Sequence, residues 1–235
     1  MIDITPLVSP SSAGIALLVE YLLRSNAKSA KNPKGNGPQD VATPQPFFDW
    51  LDRGVVPSKT WPWLDSPPAG YRFGFDLSAQ AHNTKCPRYF SPEDDSLSQD
   101  WSKVCGINKE DYLLGFWAWN NPPYGRDAPK FAKKASEEVL KGARLVQLMK
   151  AAVGTRWFNK YVKGHPCKVI VLEGRVPFDG DYDGNSANFD SMLIEWNGGP
   201  FKIEFLDWKP LLAEWLVRQG LPAWPAPKKS GRAKA

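Results

Sequence analysis

Hydrophobic and polar positions along the chain change period several times, and each change marks an element. Ala13 to Leu23 reads as a short amphipathic helix over 13–24, broken only by Glu20, and residues 25–40 lose all periodicity in an Asn-, Lys-, Gly- and Pro-rich linker. Thr43-Pro44 is a helix start, with Thr43 as N-cap and Pro44 at the first helical position, and Phe47, Phe48 and Leu51 form the buried face. Four prolines make 54–70 a loop. Tyr71 to Leu77 is a strand candidate with Asp76 at its end, and 78–101 is polar and mixed.

Asp111 to Trp119 is a nearly continuous apolar run, the pattern of a strand buried on both faces. It runs into Asn121-Pro122-Pro123-Tyr124-Gly125, where two prolines must end the strand in a rigid turn. A helix follows from about Pro129, with Phe131, Ala132, Ala135 and Val139 on one face and Gly142 closing it. Beyond it the pattern predicts strands at Leu145–Met149, Val169–Leu172, Met192–Trp196 and Ile203–Leu206. Helices are expected at Val153–Val162 and Pro210–Arg218, the latter closed by Gly220. Strands alternating with helices predict an α/β fold with a mostly parallel sheet and helices on both faces. The chain divides into a helix and linker at 1–40, a catalytic domain at 41–208, and a helix with a basic tail at 209–235. The tail carries Lys228, Lys229, Arg232 and Lys234 and reads as a solvated end.

Composition adds little to this. A net charge of +5 suits a polyanionic partner, although proteins without one are often as basic. Cys86, Cys105 and Cys167 are odd in number, widely spaced and not matched by a histidine cluster, so neither zinc nor a disulfide framework is expected. Free thiols fit a reducing cytoplasm. Ala13 to Leu23 lacks the basic residues that precede a signal core and is too short to span a membrane.

The chemistry sits in Asn121-Pro122-Pro123-Tyr124. Open α/β sheets bind ligands at the carboxyl ends of their strands, and this tetrapeptide is at such an end. A conjugated amine shares its lone pair with its ring and is a poor nucleophile. Two acceptors at the amine hydrogens draw the nitrogen toward tetrahedral geometry. The Asn121 side-chain carbonyl is one and the Pro122 backbone carbonyl the other, with directions fixed in advance by the prolines. Tyr124 offers a face on which a base can stack. A plain turn is the alternative use of such a sequence.

Asp76, at a strand end, suits a cofactor contact or a loop cap. No G-x-G-x-x-G follows it, but Ser78 and Ala79 are small enough to allow close backbone approach.

The chain from about 43 to 196 resembles the phage-type DNA N-6-adenine methyltransferases, the Dam-like family of phages and prophages. Beyond the tetrapeptide the resemblance is carried by Thr43-Pro44-Gln45 with Phe47-Phe48 and by Phe75-Asp76 with Ala79, Asn83, Lys85-Cys86 and Arg88-Tyr89-Phe90. It continues through Asp94-Asp95-Ser96-Leu97-Ser98-Gln99-Asp100-Trp101, Thr155-x-Trp157-Phe158 and Glu173-Gly174-Arg175-x-x-Phe178. It implies a Rossmann-like fold that uses S-adenosylmethionine to methylate adenine N6 in double-stranded DNA, by base flipping and direct transfer. It implies Asp76, Ser78, Ala79 and Asp100 as cofactor residues, with Asp100 near the cofactor's adenine. Thr43 and Pro44 would close over its methionine end. A phage or bacterial cytoplasmic setting and protection from restriction follow from the same resemblance; a monomer is assumed. Trp157 suits either a base platform or the core, and Asp100 either the cofactor or solvent. The motif alone leaves cytosine N4, RNA adenine and protein glutamine open as acceptors, as well as a non-catalytic DNA-binding phage protein. The 54–70 loop, with Trp61 and Trp63, is a candidate lid or specificity element. The short stretch between Gly174 and Ser191 leaves no room for a large target-recognition domain.

Overall fold

A computed structural model describes residues 42–54, 70–105, 117–178, 189–196 and 199–224. The expected helix at 13–24, the linker, most of the 54–70 loop, the 111–116 part of the apolar run and the basic tail lie outside the described residues.

Six strands form one sheet in the order β1-β2-β3-β5-β4-β6: β1 Phe73–Asp76, β2 Trp117–Asn120, β3 Leu145–Lys150, β4 Lys168–Leu172, β5 Ser191–Trp196 and β6 Lys202–Leu206. β1, β2 and β3 run parallel, as do β4 and β6, while β5 lies antiparallel between β3 and β4. The sheet is therefore mixed α/β and mostly parallel, with one reversed strand in its interior. β5 is buried at every position, so its apolar core Met192–Ile194 marks a central strand whichever way it points.

Four α-helices cover the sheet among the described residues: α1 Gln45–Arg53, α2 Ala128–Glu138, α3 Arg156–Tyr161 and α4 Trp208–Arg218. Phe47, Phe48 and Leu51 of α1 and Trp208, Leu212 and Leu216 of α4 pack with Phe73, Trp117, Trp119 and Leu148 on one face. Phe131, Ala132 and Ala135 of α2 and Phe158 of α3 pack with Phe75, Ala118, Leu145 and Trp196 on the other. Helices thus lie on both faces, as the strand–helix alternation predicts.

Three boundaries differ from expectation. Pro44, not Thr43, is the N-cap of α1; it accepts the Phe48 N–H through its carbonyl, and no side chain caps the helix. Thr43 is buried instead, and its hydroxyl makes no hydrogen bond among the described residues. α3 is shorter than 153–162 because Thr155 is its N-cap, the side chain accepting from Phe158 N at 3.5 Å. α4 begins at Trp208, two residues before Pro210. Gly142 ends α2 and its trailing turn with φ at +103°, a left-handed position that glycine fills without strain.

β1 is short for a local reason. Arg72 has φ +56°, so extended backbone begins only at Phe73, whose N–H donates to the buried Asp52 carboxylate at 2.7 Å. The polar stretch at 91–105 contains three 3-10 turns, at Pro92–Asp94, Ser96–Ser98 and Trp101–Lys103. Trp101 pins it, fully buried and donating Nε1–H to the Ser96 carbonyl at 2.8 Å. Buried Glu138 of α2 binds Lys134 Nζ and Lys141 Nζ, each at 2.8 Å, and accepts from Ser102 N at 3.2 Å, fixing the stretch against α2.

Candidate active site

A cavity of about 780 Å³ opens at the carboxyl ends of β1 and β2, a size that takes a cofactor-sized molecule. Four of its five wall segments are the lead-in to α1 (Thr43), the β1 loop (Asp76, Ser78, Ala79), the 90–97 stretch (Asp95, Ser96) and the end of β2 (Asn121, Pro122, Pro123). The first turns of α2 close the far side with Asp127 and Lys130, which pair at 2.7 Å.

Asp76 organises the β1 side. It is 3% exposed. One carboxylate oxygen accepts from Ser78 N at 3.2 Å and the other from Lys85 N at 3.0 Å, so the loop 77–85 folds around it. Its backbone is held on both sides, by Arg88 and Phe90 in a parallel bridge and by Trp119 through the next residue, Leu77. Burial pushes the carboxyl up to about 7, and the N–H groups of Lys85 and Ser78, with the Lys85 charge, oppose that rise only in part. The absence of a glycine-rich turn is thereby explained locally. Asp76, rather than a run of glycines, shapes the loop, and Ala79 is tied to the Phe90 carbonyl at 3.1 Å.

Two buried hydroxyls on the cavity wall, Thr43 Oγ1 and Ser96 Oγ, make no hydrogen bond among the described residues. Buried polar atoms of this kind normally have partners. With Asp76 and Asp95 they give this wall polar groups that the hydroxyls and cationic groups of S-adenosylmethionine would fit, while Asp127 is already paired with Lys130.

The tetrapeptide after β2 faces two ways. Asn121, Pro122 and Pro123 line the cavity. Tyr124 turns toward the loops after β4 and before β5, its ring 5.8 Å from Phe178 edge-on and 5.0 Å from Phe189 at a tilt. Its hydroxyl donates to Asn121 Oδ1 at 3.0 Å. Burial pushes the Tyr124 phenol well above its ordinary range, which keeps it protonated and a donor. Lys150, at the end of β3, places Nζ 5.7 Å from the Phe189 ring centre.

The structure thus gathers Thr43, Asp76, Ser78, Ala79, Asn121, Pro122 and Pro123 around one cavity. Pro44 starts α1 beside it. Asp100 and Trp157 are not among the cavity-lining residues. The Asp100 carboxylate accepts from Ser102 N at 3.2 Å and Ser102 Oγ at 2.6 Å, and those bonds hold it below the usual carboxylate range. The acidic residue that the same segment turns to the cavity is Asp95, held at φ +47° between two turns. Trp157 packs edge-on to Phe158 against the α2–α3 core. Ser96, Lys130 and Phe189 are wall or neighbour residues that no local pattern singles out, because long-range packing brings them there.

Comparison with known proteins identifies the family. The profile of the family "DNA N-6-adenine-methyltransferase (Dam)" matches residues 60–199. Two relatives, both called DNA N-6-adenine-methyltransferase, are each 29% identical to the chain. The one from Haemophilus phage HP1 (strain HP1c1) aligns over 126 residues, 52% of this chain and 66% of that protein. The one from Escherichia phage T1 aligns over 114 residues, 48% of this chain and 42% of that protein. The chain therefore spans just under two thirds of the first relative and less than half of the second. No solved structure matches it. With a family match across more than half of its length, the chain belongs to the DNA N-6-adenine-methyltransferase (Dam) family.

Proposed function

We propose that this protein methylates the N6 of adenine in double-stranded DNA from S-adenosylmethionine, on a Rossmann-like sheet and in the cytoplasm of a bacterial host. The observation that carries the proposal is the placement of Asn121-Pro122-Pro123 on the wall of the 780 Å³ cavity with Tyr124 turned to the other side.

Asp76, Thr43 and Ser96 would hold S-adenosylmethionine, and Ser78 and Ala79 allow its close approach to the backbone. When bound, that cofactor supplies a methyl group already activated on a sulfonium. The rest of the task falls to the chain. Asn121 Oδ1 and the Pro122 carbonyl accept the two hydrogens of the target amine and localise its lone pair. The Tyr124 hydroxyl fixes the direction of the Asn121 oxygen, and the prolines hold both acceptors without reorganisation. The Tyr124 ring, with Phe178 and Phe189 beside it, gives the flipped base an aromatic platform. Asp100 supports the fold of the 91–105 stretch rather than touching the cofactor.

Transfer of labelled methyl from S-adenosylmethionine to unmethylated DNA, followed by digestion to nucleosides, tests this. N6-methyladenine should carry the label, and a folded Asn121→Ala variant should lose transfer. Label in N4-methylcytosine, in RNA or in protein instead would overturn the assigned acceptor, and an active Asn121→Ala would overturn the assigned role.

A further inference from the structure

Among the described residues, the sheet face under α2 is apolar except for one chain of hydrogen bonds. Gln147 sits in the middle of β3, fully buried between Leu145 and Met149 of the same layer. Its Oε1 accepts from Trp196 Nε1 at 2.8 Å, across on β5. Its Nε2 donates to Asn120 Oδ1 at 2.8 Å, across on β2, and to the Phe131 carbonyl of α2 at 3.1 Å. An indole N–H is only a donor, so the amide can face only one way, oxygen to Trp196 and nitrogen to Asn120. The chain runs across three adjacent strands and ends at the residue before Asn121.

A leucine would fill this position without the cost of burying an amide. What the amide adds is direction. β2 ends at Asn120, so ladder hydrogen bonds stop just where Asn121 begins. The Gln147 tether extends the hold by one side chain. The same nitrogen binds the carbonyl of Phe131, a cavity-lining residue of α2. One group therefore ties the end of the strand that presents Asn121 to the helix that forms the opposite cavity wall.

We propose that Gln147 is a positioning residue for methyl transfer: it acts through Asn120 and Phe131 to hold Asn121 and the α2 wall in register. The inference rests on the proposed methyl-transfer reading. The rate expected to depend on it is the chemical step, because a misplacement of about 1 Å at reacting groups can slow a reaction about a hundredfold while binding surfaces remain.

The test is single-turnover transfer to DNA, with S-adenosylmethionine binding and thermal unfolding measured on the same samples. Gln147→Leu should slow transfer at least about tenfold, with S-adenosylmethionine affinity within about threefold of wild type. Val139→Ala, in the same buried layer but outside the network, should lower the melting temperature and leave the transfer rate within about twofold. Gln147→Glu separates geometry from stability. A buried carboxyl next to neutral partners stays protonated to raised pH, and in that form it donates to Asn120 as the amide does. Its transfer rate should approach wild type at low pH and fall as pH rises, a step that wild type lacks, at temperatures where both are folded. If Gln147→Leu and Val139→Ala lose stability alike and keep the wild-type rate, or if Gln147→Glu follows the wild-type pH profile, the amide is only a core group and the inference fails. A wild-type protein that transfers no methyl to DNA would instead sink the functional reading itself.

Discussion

On the proposed reading, Asp76 should make the binding of S-adenosylmethionine depend on pH near neutrality, and the size of the effect follows from its surroundings. Burial raises its carboxyl from 3.8 to about 7. Without ligand it is then ionised to roughly one tenth at pH 6 and roughly nine tenths at pH 8. The cofactor brings a sulfonium and an ammonium, and a cation beside Asp76 favours the ionised form. Affinity should therefore rise about tenfold between pH 6 and pH 8, with about one proton released per binding event at pH 6 and almost none at pH 8. The linkage to stability has the opposite sign. A carboxyl raised in the folded state prefers to be protonated there, so the ligand-free fold is favoured below about pH 4 and loses that advantage as pH climbs to about 7. Calorimetric titration of the protein with S-adenosylmethionine at both pH values, in two buffers of different ionisation enthalpy, measures affinity and proton release together. Asp76→Asn should bind weakly and show no slope, since the amide cannot ionise. A flat wild-type profile, or one that weakens toward pH 8, would refute the reasoning that the cofactor's cations lie beside this carboxylate.

Other substitutions separate roles that proximity alone leaves mixed. Tyr124→Phe removes the 3.0 Å bond to Asn121 and keeps the ring, so single-turnover transfer should slow about fivefold, the equivalent of about 1 kcal/mol, with DNA affinity unchanged; an unaltered rate would mean that Asn121 needs no such support. Asp100→Ala should lower the urea midpoint slightly, through the lost cap on Ser102. It should leave S-adenosylmethionine affinity within about twofold, and a tenfold loss of binding would restore the cofactor contact that resemblance implies. Glu138→Gln should destabilise by about 1–3 kcal/mol, because Lys134 and Lys141 lose their shared carboxylate; an unshifted urea midpoint would show that neither ion pair stabilises the end of α2.

Most of the sheet is legible in the sequence because its central strands β2, β3 and β5 are buried on both faces and announce themselves as largely apolar runs. The same burial hid the reversal of β5, since Ser191–Trp196 would read identically in either direction. Helix ends were less legible. Thr43 has the composition of an N-cap, but its hydroxyl is buried at the cavity and Pro44 takes the cap instead. In the candidate site, Asn121, Pro122 and Pro123 were readable from spacing after an apolar strand. Asp95 and Asp100 look alike in sequence, and it is Asp95, at the turn with φ +47°, that lines the cavity. Gln147 gave no signal, because an isolated glutamine in an apolar run looks like an edge position until its partners on β2 and β5 are known.

The two-sidedness of the tetrapeptide also accounts for its composition. The cavity lies over the ends of β1 and β2, while Phe178 and Phe189 stand at the ends of β4 and β5, with β3 between. The segment after β2 must therefore reach from one half of the sheet edge to the other within four residues. A flexible segment would do so at the expense of the acceptor directions that amine activation requires. Two prolines fix φ at adjacent positions and remove two N–H groups that would otherwise need partners at the strand end. The Tyr124 hydroxyl then closes back on Asn121, so the far end of the segment orients its near end. On the proposed reading, the target amine meets the methyl donor at Asn121 because only there do the cavity and the aromatic platform share one rigid piece of chain.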